Sequence, residues 1–311
     1  MKVHLNASEF NSDAPVVLTV GTFDGVHIGH RAVIDLLTLR AKELGGESVL
    51  LTFHPHPRTV LHPEQHQLKL LNTIEERKAL LRDAGLDHLV VHPFTESFSR
   101  KTPLEYVREL FAEGIKPQKV IIGYDHRFGR NREATVEDLK NFGLDYDFTV
   151  EEIPAQDIAS IAVSSTKVRN AITAGEIKKA NQYLGRPFSL SGTIVKGDKI
   201  GRKIGFPTAN LYIEEKYKLK PQNGVYLVQC HWDNQKYFGM MNVGKRPTIS
   251  GKETQIETYF FDFDGDLYGK KLNINLLEKI RDEQKYDSLE SLGNQLNIDQ
   301  KSCRELIPKY L

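Results

Sequence analysis

The stretch GTFDGVHIGH, Gly21 to His30, does most to limit what this chain can fold into. It follows an apolar run, Val16 to Val20, that reads as a buried strand, and it precedes a helical pattern from Arg31 to Leu44. A strand that turns through glycines into a helix presents the unpaired N–H groups of that helix, and with the helix dipole these favour an anion. His27 and His30 add donors that can follow charge onto a phosphate in a transition state. Either histidine alone reads as a core or capping residue. The pair in H-x-G-H directly after a strand points instead to nucleotidyl transfer, with attack on an α-phosphate and pyrophosphate leaving.

The strand–helix alternation continues beyond this motif. Strand-like runs fall at Val16–Val20, Ser48–Phe53, His88–His92, Lys119–Gly123 and Phe148–Ile153. Capping boxes mark helix starts at Thr73 and at Thr102, the latter with Pro103 in the first turn, and Gly85 and Gly114 read as the stops. Thr135 to Asp138 opens another helix, with Gly143 as its stop, and a last one runs from about Thr166 to Ala174 before Gly175. Such alternation predicts a parallel sheet covered by helices on both faces, with ligands beyond the carboxyl ends of the strands. Near Gly185-Arg186-Pro187-Phe188 the pattern changes to short runs of alternating polarity: Leu190–Lys196, Val225–Trp232, Lys236–Val243, Gln255–Phe263 and Lys271–Ile280. Asp233-Asn234 and Asp264-Gly265-Asp266 read as turns among them, which predicts an antiparallel barrel or sandwich. Helical spacing returns from about Ser288 to Leu306.

Composition sets outer limits. A chain of 311 residues suits about two domains, and 40% hydrophobic residues let each bury a core. A net charge of +1 gives no reason to expect nucleic acid or an acidic membrane as partner. Cys230 and Cys303 form neither a metal-ligand spacing nor a disulfide framework, and no apolar run has membrane-spanning length. The expectation is a cytoplasmic protein. Ten of the 11 histidines precede residue 127, which hints at two halves with different chemistry.

Further motifs carry chemistry. In VSSTKVR, Val163 to Arg169, hydroxyls at a helix start either cap it or donate to phosphate, and Arg169 one turn on is placed to clamp the same phosphate. Phe53-His54-Pro55-His56-Pro57 reads as a stiff loop lining the ligand cleft, since His-x-His without a third ligand is weak evidence for zinc. Gly123-Tyr124-Asp125-His126-Arg127-Phe128-Gly129 mixes rings with charge and suits either a planar, charged ligand or a solvated basic turn. In the second half, Gly197, Gly201 and Gly205 make a loop able to approach phosphates, and Thr208 and Asn210 offer neutral oxygens for Mg²⁺ carried by a nucleotide. Gly239 to Lys245 approximates a P-loop, but Arg246 replaces the Ser or Thr and the surroundings are strands, so it is rejected. Glu257 reads either as a solvent-facing strand residue or as a general base for a hydroxyl.

Taken in order, GTFDGVHIGH, FHPHP, GYDHRFG and VSSTKVR, then GDKIGRKIGFPTANL, NGVY, MNVGKRPT and FDFDGDLYGK, resemble the bifunctional prokaryotic riboflavin kinase/FAD synthetase family over nearly the whole chain. The resemblance implies a Rossmann-like nucleotidyltransferase domain with a parallel sheet over 1–185, and an antiparallel β-barrel kinase domain with a C-terminal helix over 186–311. It implies phosphorylation of riboflavin to FMN, then adenylylation of FMN to FAD, with ATP as co-substrate of both and Mg²⁺ required. It assigns catalysis to His27, His30 and Glu257. Gly21, Phe23, Asp24, Gly29, Ser165, Thr166 and Arg169 would bind ATP in the first domain, and Phe53, His56, Pro57, Asp125 and Phe128 the flavin. Gly197, Gly201, Gly205, Pro207, Thr208 and Asn210 would bind ATP in the second, with Thr208 and Asn210 toward Mg²⁺. The chain departs from the family pattern at His126, where an aromatic is common, at Ala134, where a glycine is common, and at Thr258-Tyr259, where Val-His is common.

Overall fold

The computed structural model describes residues 1–61, 68–154, 163–197, 200–248 and 251–311. These divide into two compact units, Met1–Ser165 and Thr166–Leu311.

The first unit is built on six parallel strands: β1 (Lys2–His4), β2 (Val16–Val20), β3 (Glu47–His54), β4 (His88–Pro93), β5 (Lys119–Gly123) and β6 (Thr149–Ile153). Their order is β1-β4-β3-β2-β5-β6. The continuous apolar run of β2 follows from its central place. Val16, Leu18 and Val20 pack into the core on one face, and Val17 into the core on the other, with Ile34 and Leu37 of helix α1 (Ile28–Glu43). Thr19, buried between, donates its hydroxyl to the Ile121 carbonyl at 2.8 Å. From β2 the chain crosses to β3 and β4 on one side, while β5 and β6 lie on the other. This reversal opens the crevice in which such sheets bind ligands. GTFDGVHIGH, FHPHP and GYDHRFG leave the carboxyl ends of β2, β3 and β5, so the topology collects three of the sequence motifs at one sheet edge.

The second unit is a closed antiparallel barrel, not a sandwich. Its strands are β7 (Phe188–Val195), β8 (Ala209–Tyr212), β9 (Gly224–Trp232), β10 (Gln235–Thr248), β11 (Gly251–Phe260) and β12 (Lys271–Arg281), in the order β10-β11-β8-β7-β12-β9. Asp233 and Asn234 both adopt positive φ, 50° and 59°, the tight-turn geometry that joins β9 to β10. The rejected P-loop segment lies within β10. The helix Leu289–Leu306 packs on the barrel wall, capped by Ser288 and tied down by Arg281, which pairs with the buried Asp299 at 2.7 Å.

Sequence reading misassigns two helix stops. Gly114 lies inside a π-helical turn, Arg108–Ile115, which ends at Lys116 with φ 54°. Gly143 lies inside the helix Val136–Asp145. Both glycines serve close packing: a Cβ on Gly143 would sit 2.4 Å from the Phe148 carbonyl, and one on Gly114 3.1 Å from the Ala7 side chain. Sequence reading also misses β1, β8 and the helix Ile177–Leu184. That helix belongs to the second unit, where Asn181 donates to the Leu276 carbonyl at 2.9 Å and accepts from the Phe188 N–H at 2.7 Å.

Candidate active sites

In the first unit the loop from β2 to α1 is shaped by positive φ at Phe23, Gly25 and Val26. His27 caps α1: its Nδ1 accepts the His30 N–H at 3.2 Å, which places the ring proton on Nε2 as a donor. α1 therefore starts at Ile28, ahead of the expected Arg31. The His27 and His30 rings stack with centroids 3.7 Å apart, and Phe23 lies 4.7 Å beyond His30. A Cβ on Gly21 would fall 2.7 Å from the Phe23 ring, so that glycine admits the ring. Burial, His27 and Arg77 together hold the His30 imidazole well below its ordinary pKa. The His30 ring is thus uncharged at neutral pH. Gly29 sits in the first turn of α1 between the two rings in sequence.

Asp24, expected at ATP, is held by neighbours within the chain. Its buried carboxylate accepts the Leu71 N–H at 2.9 Å and the Asn72 N–H at 3.2 Å, and the buried Arg77 guanidinium lies 4.0 Å away. Its backbone carbonyl accepts from the Ser165 hydroxyl at 2.8 Å. Asp24 therefore fastens the 71–72 segment and Ser165 to the loop between β2 and α1. Thr166, exposed, and Arg169, half-buried one turn on, follow on that helix.

The expected flavin residues separate into two groups. Phe53 and Phe128 belong to the apolar core: Phe53 packs among His92, Phe94, Phe98 and Tyr106, and Phe128 against Tyr106 and Phe142. Alternation along β3 turns the Phe53 ring inward, and Phe128, in the loop beyond β5, is buried as well. His56 is buried and its Nδ1 accepts the Arg58 N–H at 3.1 Å, while Pro57 opens the short helix Pro57–Leu61. Asp125 is exposed. His126 stacks on Phe128 at 25° between ring planes, and burial aided by Arg132 lowers its pKa to about 4. It is an uncharged flat ring, a close substitute for the aromatic residue common in the resembled family. Ala134 bridges to Phe128 in the same packing.

In the second unit β8 and β11 build the site together. Glu257 stands opposite Asn210 on β8 and opposite Asn242 on β10. Its carboxylate accepts the Thr208 hydroxyl at 3.2 Å, and Asn210 Oδ1 accepts from Gln255 Nε2 at 3.0 Å. Thr208 spends its proton on Glu257, which leaves its oxygen lone pairs for a cation. Gly197 approaches so closely that a Cβ there would lie 2.3 Å from Asn210 Nδ2. Gly201 passes under the Phe206 carbonyl, where a Cβ would lie 2.2 Å from the oxygen, and Gly205 needs its φ of 84°. Pro207 is exposed at the entry to β8. Asp198 and Lys199 lie outside the described residues.

These groups open on a cavity of about 660 Å³ between the barrel wall, at Val225, Met240 and Tyr259, and the helix residues Leu292 and Leu296. A cavity that mixes apolar walls with polar groups, among them Thr208, Asn210, Gln255 and Glu257, suits a ligand with a flat ring and a hydroxylated tail. Sequence reasoning singled out Thr208, Asn210 and Glu257 but missed Gln255 and Asn242. The signal for Gln255 was present, because residues i and i+2 of a strand share a face.

Comparison with known proteins agrees with this division. The family model of FAD synthetase matches residues 9–167, and that of riboflavin kinase matches residues 184–307. The chain is 36% identical over 291 residues to the bifunctional riboflavin kinase/FMN adenylyltransferase of Pseudomonas fluorescens, covering 93% of this chain and 92% of that one. It is 36% identical over 299 residues to the protein of the same name from Listeria monocytogenes, covering 96% and 94%. A crystal structure described as a macrolide-efflux protein from Streptococcus pneumoniae matches with a TM-score of 0.86 and 31% identity, over 97% of this chain and 98% of that one. Among the described residues of the present chain, no helix is long and apolar enough to cross a membrane. With both family models matched in order on the two units, and curated relatives matched nearly end to end, the chain belongs to the bifunctional riboflavin kinase/FMN adenylyltransferase family.

Proposed function

We propose that the residues described above carry the two activities of this enzyme, with adenylyl transfer within 1–185 and phosphoryl transfer within 186–311. In the kinase reaction Glu257 takes the proton of the terminal ribityl hydroxyl as that oxygen bonds to the γ-phosphorus of ATP and ADP leaves. The observation that carries this reading is the Thr208–Glu257 hydrogen bond at 3.2 Å beside Asn210, at the end of the 660 Å³ cavity. It brings a base and neutral oxygen donors together. Among the described residues no cluster of three His, Cys, Asp or Glu forms a metal cage. Neutral oxygens beside one carboxylate instead suit Mg²⁺ that arrives on the phosphates of ATP, and Thr208 and Asn210 would receive it. When bound, that ion neutralises charge developing between the β- and γ-phosphates.

In the adenylyltransferase reaction the nucleophile is the phosphate of FMN, already anionic, so no strong base is needed. Its oxygen bonds to the α-phosphorus and pyrophosphate leaves. His27 and His30 donate to the α-phosphate oxygens, and Thr166 and Arg169 hold the departing pyrophosphate on the helix start that Ser165 fixes through its bond to the Asp24 carbonyl. Gly21 and Gly29 shape the loop. The flavin contacts fall to the carboxyl edge, at the exposed Asp125, the half-buried Pro57 and the buried His56, rather than to Phe53 and Phe128 in the core. Two buried free cysteines, Cys230 and Cys303, suit work in a reducing cytoplasm.

The test is chromatography of flavins from the purified protein with riboflavin, ATP and Mg²⁺, repeated with Glu257→Gln and His30→Ala. Glu257→Gln is expected to stop FMN formation and spare FAD formation from supplied FMN, and His30→Ala the reverse. Loss of both activities from either folded variant refutes the assignment.

A further inference from the structure

We infer that Gln255 is a positioning residue for the kinase reaction, holding the Asn210 side chain with its carbonyl oxygen toward Mg-ATP. The inference rests on the assignment of Asn210 to the nucleotide. Gln255 and Glu257 share one face of β11, and Thr208 and Asn210 face them from β8 and the residues leading into it. The register sets Glu257 opposite Asn210, and each β11 side chain reaches diagonally: Glu257 to Thr208 at 3.2 Å, Gln255 to Asn210 at 3.0 Å. The two contacts form successive rungs of one ladder, and only the first contains the base.

The second rung decides an orientation. The two ends of an asparagine amide are alike in shape and opposite in function, because the oxygen ligates a cation and the NH₂ repels it. Shape alone therefore does not tell Asn210 which way to turn. Asn210 is buried, with Gly197 so close that a Cβ there would meet both ends of the amide, Nδ2 at 2.3 Å and Oδ1 at 2.8 Å, while Gln255 Nε2 donates into Oδ1. While Gln255 presents its Nε2, a reversed Asn210 amide would set one NH₂ against the other. Oδ1 has two lone-pair directions, so one accepts from Gln255 and the other remains for the cation.

The experiment measures steady-state riboflavin phosphorylation and calorimetric binding of Mg-ADP for Gln255→Met, in the native and Asn210→Asp backgrounds. In the native background KM for Mg-ATP and Kd for Mg-ADP are expected to rise about tenfold, the change one neutral hydrogen bond carries. KM for riboflavin and kcat stay within about twofold. A carboxylate has two equivalent oxygens and needs no orienting, so in the Asn210→Asp background the same substitution costs less than about twofold. Unchanged nucleotide affinity in the native background, or an equal loss in both backgrounds, overturns the inference. Asn210→Ala separates it from the reading beneath: if that variant binds Mg-ADP normally, the assignment of Asn210 itself fails. Fluorescence of Trp232 verifies that each barrel is folded. Should Gln255→Met fail this check, Gln255→Ser, too short to reach Asn210, replaces it with the same readouts and expectations.

Discussion

Thr258 offers a quantitative test of the barrel packing. It follows Glu257 on β11, so its side chain points to the opposite face, where it is fully buried and its hydroxyl has no hydrogen-bond partner. A buried polar group left unsatisfied costs roughly 1–3 kcal/mol. Valine has nearly the same shape and the same restricted χ1, so Thr258→Val removes the cost without opening a cavity. The hydroxyl still forms hydrogen bonds to water in the unfolded chain, so nearly all of the penalty is recovered, and a gain of about 1–2 kcal/mol is expected. With a urea m-value of about 2 kcal/mol/M, the midpoint rises by about 0.5–1 M. The assay is urea unfolding followed by Trp232, the single tryptophan, which lies at the end of β9 and reports the second unit. Riboflavin phosphorylation should stay unchanged, because Glu257 faces the other way. A midpoint that falls or does not move refutes the reasoning, since the hydroxyl must then have a buried partner such as water.

Other outcomes follow from the two sites. Glu257→Gln keeps an acceptor for Thr208 but removes the base, and kcat for FMN formation should fall about 10²–10⁴-fold in a stopped-time assay. Gly197→Ala sets a methyl 2.3 Å from Asn210 Nδ2 and should raise KM for ATP in the kinase reaction while adenylylation of supplied FMN is unchanged. Arg77→Met leaves the Asp24 carboxylate buried without the guanidinium 4.0 Å away, and thermal unfolding should show a loss of about 3–5 kcal/mol in the first unit. Burial holds His4, His30, His54, His92 and His126 below the ordinary histidine pKa of about 6.5, all in the first unit. Below that pH the unfolded chain binds protons that the folded unit refuses. Stability present above about pH 6.5 is therefore lost as pH falls, by up to about 1.4 kcal/mol per unit for a fully refusing ring. Circular dichroism melts at pH 7.5 and 5.5 should show the first unit weakening while the Trp232 transition, in a unit whose only histidine is His231, moves less.

What the sequence made legible depended on whether the signal was local. Val16–Val20 and Lys119–Gly123 emerge with the expected ends because a strand buried on both faces is apolar throughout. The capping boxes at Thr73 and Thr102 and the helix start at Thr135 are as read, each closed by residues three apart. Tertiary contacts were not legible. Gly114 and Gly143 looked like helix stops because a glycine needed for close approach is indistinguishable in sequence from one needed for a turn. Phe53, Phe128 and Asp24 stand within or beside motifs, yet the fold uses the rings for the core and the carboxylate to fasten a distant segment. β8 has four residues, too few for a periodic signal, although the site depends on it.

The two sites differ in the way their nucleophiles require. A ribityl hydroxyl is neutral and must lose a proton as it attacks, and under the proposed assignment Glu257, which lines the cavity and accepts from Thr208, takes it. The phosphate of FMN brings its own charge, and a second base would only repel it. Among the residues of H-x-G-H the first unit accordingly presents stacked imidazoles, with His30 held neutral by burial, His27 and Arg77, and the nearest motif carboxylate, Asp24, is turned away to backbone N–H groups. Fastening Asp24 in this way does two things at once. It ties the loop between β2 and α1 to residues 71–72, and under the proposed assignment it keeps a negative charge from the surface that two anionic substrates would share. Asp24→Asn should therefore loosen the loop through its lost acceptor while leaving the charge at the reacting phosphates unchanged. The expected mark is a raised KM for both FMN and ATP with a salt dependence like that of the parent enzyme. A salt dependence that steepens instead would show the carboxylate acting directly on the substrates.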